Sequence, residues 1–190
     1  MDLPVNLDQK AFLYARDAHA SIDQRRKYTG QPYILHPARV VEILRYAGVK
    51  QPEIIQAAYL HDVIEDVAPK NPEYNINQIK EVFGMRVANI VIELTDIYGS
   101  EHFPQHNRAA RKAMEAARLS KISLDAMKIK LADLIDNTSD IVSNDKGFAK
   151  VYLAEKKVIL DAFKPRVELA NDLALEHLYK QACSQITHDR

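Results

Sequence analysis

The sequence predicts an all-α protein. Apolar residues recur at helical spacing in successive segments, as in the run from Val40 to Ala47 that ends before Gly48. No segment alternates apolar and polar residues with the period of two that a half-buried strand requires, and the sequence contains neither internal repeats nor low-complexity tracts. A compact bundle of several helices is the architecture these observations favour.

Composition narrows the class of protein. The chain has 190 residues, 47% of them hydrophobic, which is enough to build a core without disulfides. Its 26 basic and 26 acidic residues cancel, which argues against a protein that coats nucleic acid. Cys183 is the only cysteine, which fits a reducing compartment. No apolar run approaches the roughly 20 residues of a membrane span, and Asp8 and Lys10 interrupt any leader, so we expect a cytoplasmic protein.

The first helix is predicted from a cap at Asp8 to about Ser21, and His19 on it is expected to be a packed histidine. A basic loop follows, in which Arg25, Arg26 and Lys27 are consecutive cations beside Gly30. Such a loop is usually solvated, but it also offers contacts to phosphate oxygens.

The second helix is predicted to open at His36-Pro37, with Pro at its first position and Gly48 just beyond its end. His36 would then stand at the N-terminus of a rigid element. A lone His-Pro pair is weak evidence for a metal ligand. Whether His36 is one depends on the side chains of the next helix.

The third helix, from Glu53 onward, carries the polar cluster around which the chain is organised. At about 100° per residue, His61, Asp62, Glu65 and Asp66 fall within one arc of about 140°. The same arc is apolar one turn upstream, and no Lys or Arg occurs between residues 50 and 70 to supply a counter-charge. Buried ionised groups need a partner, and the simplest one here is a divalent cation.

The remaining elements are helices separated by Pro and Gly. The helix capped by Ser123 carries Asp133, Asn137 and Asp140 on one polar stripe, which is more often solvated than ligating. The last two helices are expected to be separated by Pro165 and to pack as structural cover. The predicted ranges are Ile76 to Phe83, Arg86 to Thr95, a basic helix from Arg108 to Lys121, Leu124 to about Val142, Phe148 to Phe163, and Val167 to Ile186.

A His, an adjacent His-Asp and a distant Asp resemble the HD-domain phosphohydrolase pattern. The surrounding sequence is similar to the hydrolase domain of RelA/SpoT-type alarmone enzymes, over roughly Phe12 to Asp140. The similarity is carried by residues 24–27 (Gln-Arg-Arg-Lys), 30–37 (Gly-Gln-Pro-Tyr-Ile-Leu-His-Pro), 58–66, and 131–133 (Leu-Ala-Asp) with Asn137. The length of the chain makes it resemble the free-standing small alarmone hydrolases.

The resemblance implies a single HD-type hydrolase domain over 1–190, with a core of about 8–163 and a C-terminal helix of about 166–186 as cover. It implies metal-dependent removal of the 3′-pyrophosphate of ppGpp or pppGpp. One Mn²⁺ per site would be bound, and Glu65 and Asp66 would position or activate the attacking water. Arg26, Lys27 and Asn137 would bind the nucleotide. The implied metal ligands are His36, His61, Asp62 and Asp133.

Some points stay open in the sequence. Arg25 and Arg26 could exchange roles, because the basic loop varies in length among relatives. Leu134 and Asp136 stand where the family usually has a Lys and an aromatic residue, which affects the shape of the nucleoside pocket. The expected partner is a small nucleotide, not a nucleic acid or a membrane, and a homo-oligomer is compatible with the sequence.

Two other functions are compatible with the motifs. An HD-domain nucleotidase or phosphatase would keep the metal site but act on nucleoside monophosphates or on the 2′-phosphate of NADPH. A helical module that senses nucleotides through a degenerate site would lack metal ligands, and the four implied ligands are all in place.

Overall fold

The computed structural model describes residues 6–187, and within them all regular structure is helical. An isolated antiparallel bridge between Arg25 and Pro32 is the one β-type pairing in that range. The predicted all-α class is confirmed. The helices are α1 (Leu7–Ser21), α2 (Leu35–Tyr46), α3 (Pro52–Leu60), a π-helical turn (Val63–Val67), α4 (Ile76–Phe83), α5 (Met85–Leu94), α6 (Arg108–Leu119), α7 (Leu124–Asn144), α8 (Lys146–Leu169) and α9 (Leu173–Thr187).

The chain divides into two compact units, one ending at Thr95 and the other beginning at Asp96. The prediction of a single HD-type domain over 1–190 stays a prediction, and its two ends lie outside the described residues. None of the described helices combines the length and the apolar character that a membrane crossing requires.

In the first unit, α3 is the central element. It packs against α1, α2 and α5, and α4 packs against α5. Every residue from Ile54 to Leu60 is buried, so the helix is enclosed on all sides as its sequence predicts. Pro52 at its first position costs no hydrogen bond, because the first N–H groups of a helix have no partner within the helix.

Two helix starts in this unit differ from prediction. Asn6, not Asp8, caps α1, since its side chain accepts a 3.0 Å hydrogen bond from the backbone N of Asp8. Helix α2 begins at Leu35, so Pro37 is its third residue. A proline is tolerated there because the N–H it lacks would also have no partner within the helix.

The helix that was predicted to run through the His-Asp pair is interrupted. Regular α-helix ends at Leu60, His61 and Asp62 form a turn, and Val63–Val67 follow as a π-helical turn. The backbone N of Ala68 donates to the carbonyl of Val63, five residues earlier, at 3.1 Å. The prediction of one continuous α-helix was therefore wrong, and the acidic residues lie on a wider turn.

In the second unit, α7 packs against α8 and α9, and α6 packs against α8. Ser123 caps α7 as predicted, because its hydroxyl accepts from the backbone N of Ala126 at 3.1 Å. Residues 126–129 and 131–136 of α7 are buried. Buried polar side chains on α7 therefore lie on a rigid element.

The predicted break at Pro165 is wrong, because α8 continues through it to Leu169 and α9 starts at Leu173. Pro165 lacks the backbone N–H that would bond to the carbonyl four residues earlier, so the helix loses that hydrogen bond. It is exposed and lies one turn from the helix end. Phe163 and Val167, four residues apart, are both buried on the same face. Their packing maintains the helix past the proline, and the chain turns instead at Asn171, whose φ is 47°.

Candidate metal centre

Three of the predicted metal ligands lie together in the first unit. His36 is in the first turn of α2, and His61 and Asp62 follow the end of α3. Oδ2 of Asp62 lies 3.1 Å from Nε2 of His61 and 3.5 Å from Nε2 of His36. One ligand atom from each of the three residues lies within 4.8 Å of the others. Both imidazoles are buried, and Asp62 is partly exposed.

The backbone orients the His61 ring. Its Nδ1 donates a 2.7 Å hydrogen bond to the carbonyl of Ala58, one turn earlier. Since a carbonyl oxygen only accepts, the ring proton is on Nδ1, and in the neutral ring Nε2 keeps the lone pair that faces Asp62. Metal-binding histidines are commonly oriented by such a bond from the second ring nitrogen.

Asp62 is held from the other side by Tyr33. The Tyr33 hydroxyl donates to Oδ2 of Asp62 at 2.7 Å. The same tyrosine ring lies edge-on to His36, with centroids 5.7 Å apart, and tilted against His19 at 4.6 Å. Tyr33 therefore positions the carboxylate and supports both neighbouring imidazoles.

The two predicted catalytic acids lie on the π-helical turn and differ in their surroundings. Glu65 is exposed, whereas Asp66 is half-buried. Oδ2 of Asp66 accepts a 2.8 Å hydrogen bond from Nε2 of Gln24. Burial raises the pKa of Asp66, the charge of Asp62 raises it further, and the bond from Gln24 opposes both. Burial and the neighbouring Asp62 charge thus make the Asp66 carboxylate a stronger base than an ordinary aspartate.

The basic loop is a tight turn whose two arginines differ in their burial. The backbone N of Arg26 donates to the carbonyl of Gln31 at 2.8 Å, and Gly30 donates back to Arg26 at 2.9 Å. Gly30 has a φ of 67°, a conformation that favours glycine. Arg26 is buried, while Arg25 is exposed and paired with Asp23; Lys27 is exposed and lies over the Tyr28 ring.

Asp133 and Asn137 belong to the second unit, on α7. The Asp133 side chain is buried, its Oδ2 accepts from Nζ of Lys130 at 2.8 Å, and its Oδ1 accepts from Nδ2 of Asn137. Both oxygens of this carboxylate therefore receive a hydrogen bond from its own helix. That Asp133 joins His36, His61 and Asp62 around one ion stays a prediction.

The donor set suits a divalent metal ion. Two imidazole nitrogens and a carboxylate oxygen at this spacing are typical ligands of Mn²⁺, Fe²⁺ or Zn²⁺, and a bound cation would compensate the partly buried Asp62 charge. The roles of the individual residues as ligands stay predictions.

Sequence reasoning missed two residues that contact predicted site residues: Tyr33, which contacts Asp62, and Gln24, which contacts Asp66. Gln24 and Tyr33 lie inside the motifs that carry the family resemblance, but no role was predicted for either. Their positions in the basic loop that precedes His36, a predicted ligand, were the available signal. Their partners Asp66 and Asp62 are 42 and 29 residues away, so only the fold identifies them.

Comparison with known proteins gives consistent similarities. A family model described as an HD domain matches residues 11–159. The Drosophila melanogaster protein named guanosine-3′,5′-bis(diphosphate) 3′-pyrophosphohydrolase MESH1 is 30% identical over 166 residues, which cover 83% of this chain and 86% of that protein. A Synechocystis protein named probable guanosine-3′,5′-bis(diphosphate) 3′-pyrophosphohydrolase is 33% identical over 141 residues, covering 72% of this chain. This chain spans only 17% of that second relative's length.

A solved structure has a similar fold along nearly the whole chain. It is described as a metazoan ortholog of SpoT that hydrolyses ppGpp and plays a role in starvation responses. The TM-score is 0.76 at 26% sequence identity, and the match covers 98% of this chain and 99% of the other.

Proposed function

The chain belongs to the HD domain family, and on that basis we propose that it hydrolyses the 3′-pyrophosphate of ppGpp and pppGpp, releasing pyrophosphate and GDP or GTP. The observation that supports hydrolytic chemistry is the cluster of His36, His61 and Asp62, in which one potential ligand atom from each residue lies within 4.8 Å of the other two. The substrate class rests on the MESH1 relative and on the ortholog of SpoT.

The proposed ligands of one Mn²⁺ are His36, His61, Asp62 and Asp133. Three observations support the first three: the hydrogen bond that orients His61, the one that Tyr33 donates to Asp62, and the 3.5 Å between Nε2 of His36 and Oδ2 of Asp62. Asp133 is proposed as the fourth because it is a buried carboxylate on a rigid helix. A bound Mn²⁺ would lower the pKa of a water and polarise a phosphoryl oxygen.

Asp66 is proposed to orient the attacking water and accept its proton, with Glu65 assisting from the exposed side of the π-helical turn. The raised pKa of Asp66 supports this assignment, because a carboxylate of higher pKa is a stronger base. The hydrogen bond from Gln24 occupies only one of the two carboxylate oxygens, Oδ2.

Arg26, Lys27 and Asn137 are proposed to bind the nucleotide. The two cations neutralise charge on the phosphate groups, and the buried guanidinium of Arg26 does so more strongly than a solvated one. Asn137 is proposed as a contact to the nucleoside; its side chain also donates to Asp133. A cytoplasmic location and the absence of a nucleic-acid partner stay predictions, and a homo-oligomer remains compatible with the sequence.

The test is a hydrolysis assay with ppGpp, pppGpp, nucleoside monophosphates and NADPH as substrates, with and without Mn²⁺. We expect Mn²⁺-dependent release of pyrophosphate from the first two. Asp62→Ala should lose activity and bound metal together, whereas Asp17→Ala, an exposed aspartate on α1, should behave as the wild type.

Three outcomes would contradict the proposal. Orthophosphate from nucleoside monophosphates, without pyrophosphate from ppGpp, would indicate a nucleotidase. Orthophosphate from NADPH alone would indicate a phosphatase for its 2′-phosphate. Metal-free protein that stays inactive after Mn²⁺ is added would indicate a nucleotide-binding module.

A further inference from the structure

The side-chain amide of Gln24 joins a buried histidine to the proposed catalytic carboxylate. Nδ1 of His19 lies 2.8 Å from Oε1 of Gln24, and Nε2 of Gln24 lies 2.8 Å from Oδ2 of Asp66. His19 comes from the last turn of α1 and Asp66 from the π-helical turn. The three side chains form one chain of hydrogen bonds between elements that are distant in sequence.

The direction of each bond follows from the chemistry of the groups. The amide oxygen only accepts, so Nδ1 of His19 carries a proton and donates it. The opposite end of the amide is then an NH₂ group, which donates to the carboxylate of Asp66. If the amide were reversed, its oxygen would face the carboxylate oxygen, and two acceptors would repel each other.

The surroundings hold this arrangement in place. His19 is 1% exposed, and burial lowers its pKa, which favours the neutral ring with a single N–H. The backbone of Gln24 is fixed on both sides, since its N donates to the carbonyl of His19 at 3.0 Å and its carbonyl accepts from Tyr33 at 3.3 Å. The amide is therefore presented from a rigid loop.

We propose that Gln24 is a positioning residue that fixes the Asp66 carboxylate for catalysis, and that His19 determines which end of the Gln24 amide faces Asp66. This inference rests on the proposed function, which makes Asp66 the proton acceptor. Gln24 binds Oδ2, so Oδ1 is the oxygen directed to the water. His19 acts on the carboxylate only through Gln24.

The central test is Gln24→Glu, which keeps the shape of the side chain and replaces the NH₂ donor by an acceptor. We expect kcat to fall about ten- to hundredfold, with KM and bound Mn²⁺ unchanged. In an Asp66→Asn background the same substitution should cause no further fall in kcat, because the group that Gln24 positions is no longer a base. A crystal structure of Gln24→Glu should show the Asp66 carboxylate rotated.

His19→Asn tests the second half of the proposal. It should lower kcat less than Gln24→Glu does, and its effect should disappear when combined with Gln24→Ala, because both act through one amide. Asn71→Ala is the matched control. Asn71 donates a 3.0 Å hydrogen bond to Ser21, so it also joins the end of α1 to the segment after the π-helical turn, without touching Asp66. It should retain the wild-type kcat.

A wild-type kcat for Gln24→Glu, or independent effects of His19→Asn and Gln24→Ala, would overturn the proposal. Wild-type protein without activity on ppGpp would overturn the proposed function instead. The position of the Asp66 carboxylate in crystals of Gln24→Glu would then decide the positioning role: rotation supports it, and an unchanged carboxylate overturns it.

Discussion

The hydroxyl of Tyr33 donates a 2.7 Å hydrogen bond to Oδ2 of Asp62, the same oxygen that faces the imidazoles of His36 and His61. Oδ2 of Asp62 therefore has a fixed direction before any cation binds. Groups that orient a ligand in this way strengthen metal binding, because less conformational freedom is lost when the ion is bound.

Removing that hydroxyl should weaken metal binding without unfolding the protein. Tyr33→Phe keeps the ring that packs against His19 and His36 and deletes only the bond to Asp62. We expect the Kd for Mn²⁺ to rise by about ten- to hundredfold, measured by titration against a competing chelator. Tyr46→Phe, at a tyrosine that is 82% exposed, is the control. An unchanged Kd for Tyr33→Phe would show that Asp62 needs no such support.

Asp66→Asn separates metal binding from turnover. Asparagine keeps an oxygen that can accept from Gln24, so the local geometry is retained while the base is lost. We expect kcat to fall by about a hundredfold or more, with the Mn²⁺ content unchanged by elemental analysis. Asp62→Ala, which should lose both, is the comparison. A wild-type rate for Asp66→Asn would remove Asp66 from the mechanism.

Local signals in the sequence were sufficient for some elements. Helix α4 has the predicted bounds because both of its ends are encoded nearby. The side chain of Asn75 accepts from the backbone N of Asn77 and Gln78, and Gly84 adopts a φ of 89° where the helix stops. These interactions span at most a few residues, so a pattern in the sequence identifies them.

Other features depend on contacts that no local pattern contains. The spacing of His61, Asp62, Glu65 and Asp66 fits an α-helix, and nothing in it indicates the wider π-helical turn that forms. Pro165 predicts a helix end, but the burial of Phe163 and Val167 on either side of it outweighs this effect. The His61-Asp62 pair was singled out by its residue types and His36 by the family resemblance, whereas the partners that orient the pair could not be predicted.

The two arginines of the basic loop should contribute unequally to substrate binding, which addresses the alternative that the sequence left open. Arg26 is 6% exposed, while the side chain of Arg25 is 57% exposed and pairs with Asp23. Arg26→Ala should raise the KM for ppGpp by about tenfold or more, because a desolvated cation binds phosphate more strongly than a solvated one. Arg25→Ala should change KM less than about twofold. Initial rates against ppGpp concentration measure both, and a larger effect for Arg25→Ala would reverse the assignment.

A buried lysine in the second unit should make stability depend on pH in the alkaline range. Lys156 is 1% exposed, and its Nζ donates to Thr138 on α7 and to Gln185 on α9. Burial lowers its pKa from 10.5 to about 8, against a smaller opposing effect of Cys183. Between these two values the unfolded chain binds more protons at this site than the folded one, so stability rises with pH.

Comparison with Lys156→Met isolates this contribution. The free energy of unfolding of the wild type, relative to the variant, should rise between pH 8 and pH 10, by at most about 1.4 kcal/mol per pH unit. Urea unfolding at constant ionic strength measures it. Lys157→Met removes the adjacent lysine, whose side chain is 61% exposed, and should follow the wild type throughout. If the difference in the free energy of unfolding between wild type and Lys156→Met stays constant from pH 8 to pH 10, the buried amine keeps its proton across this range.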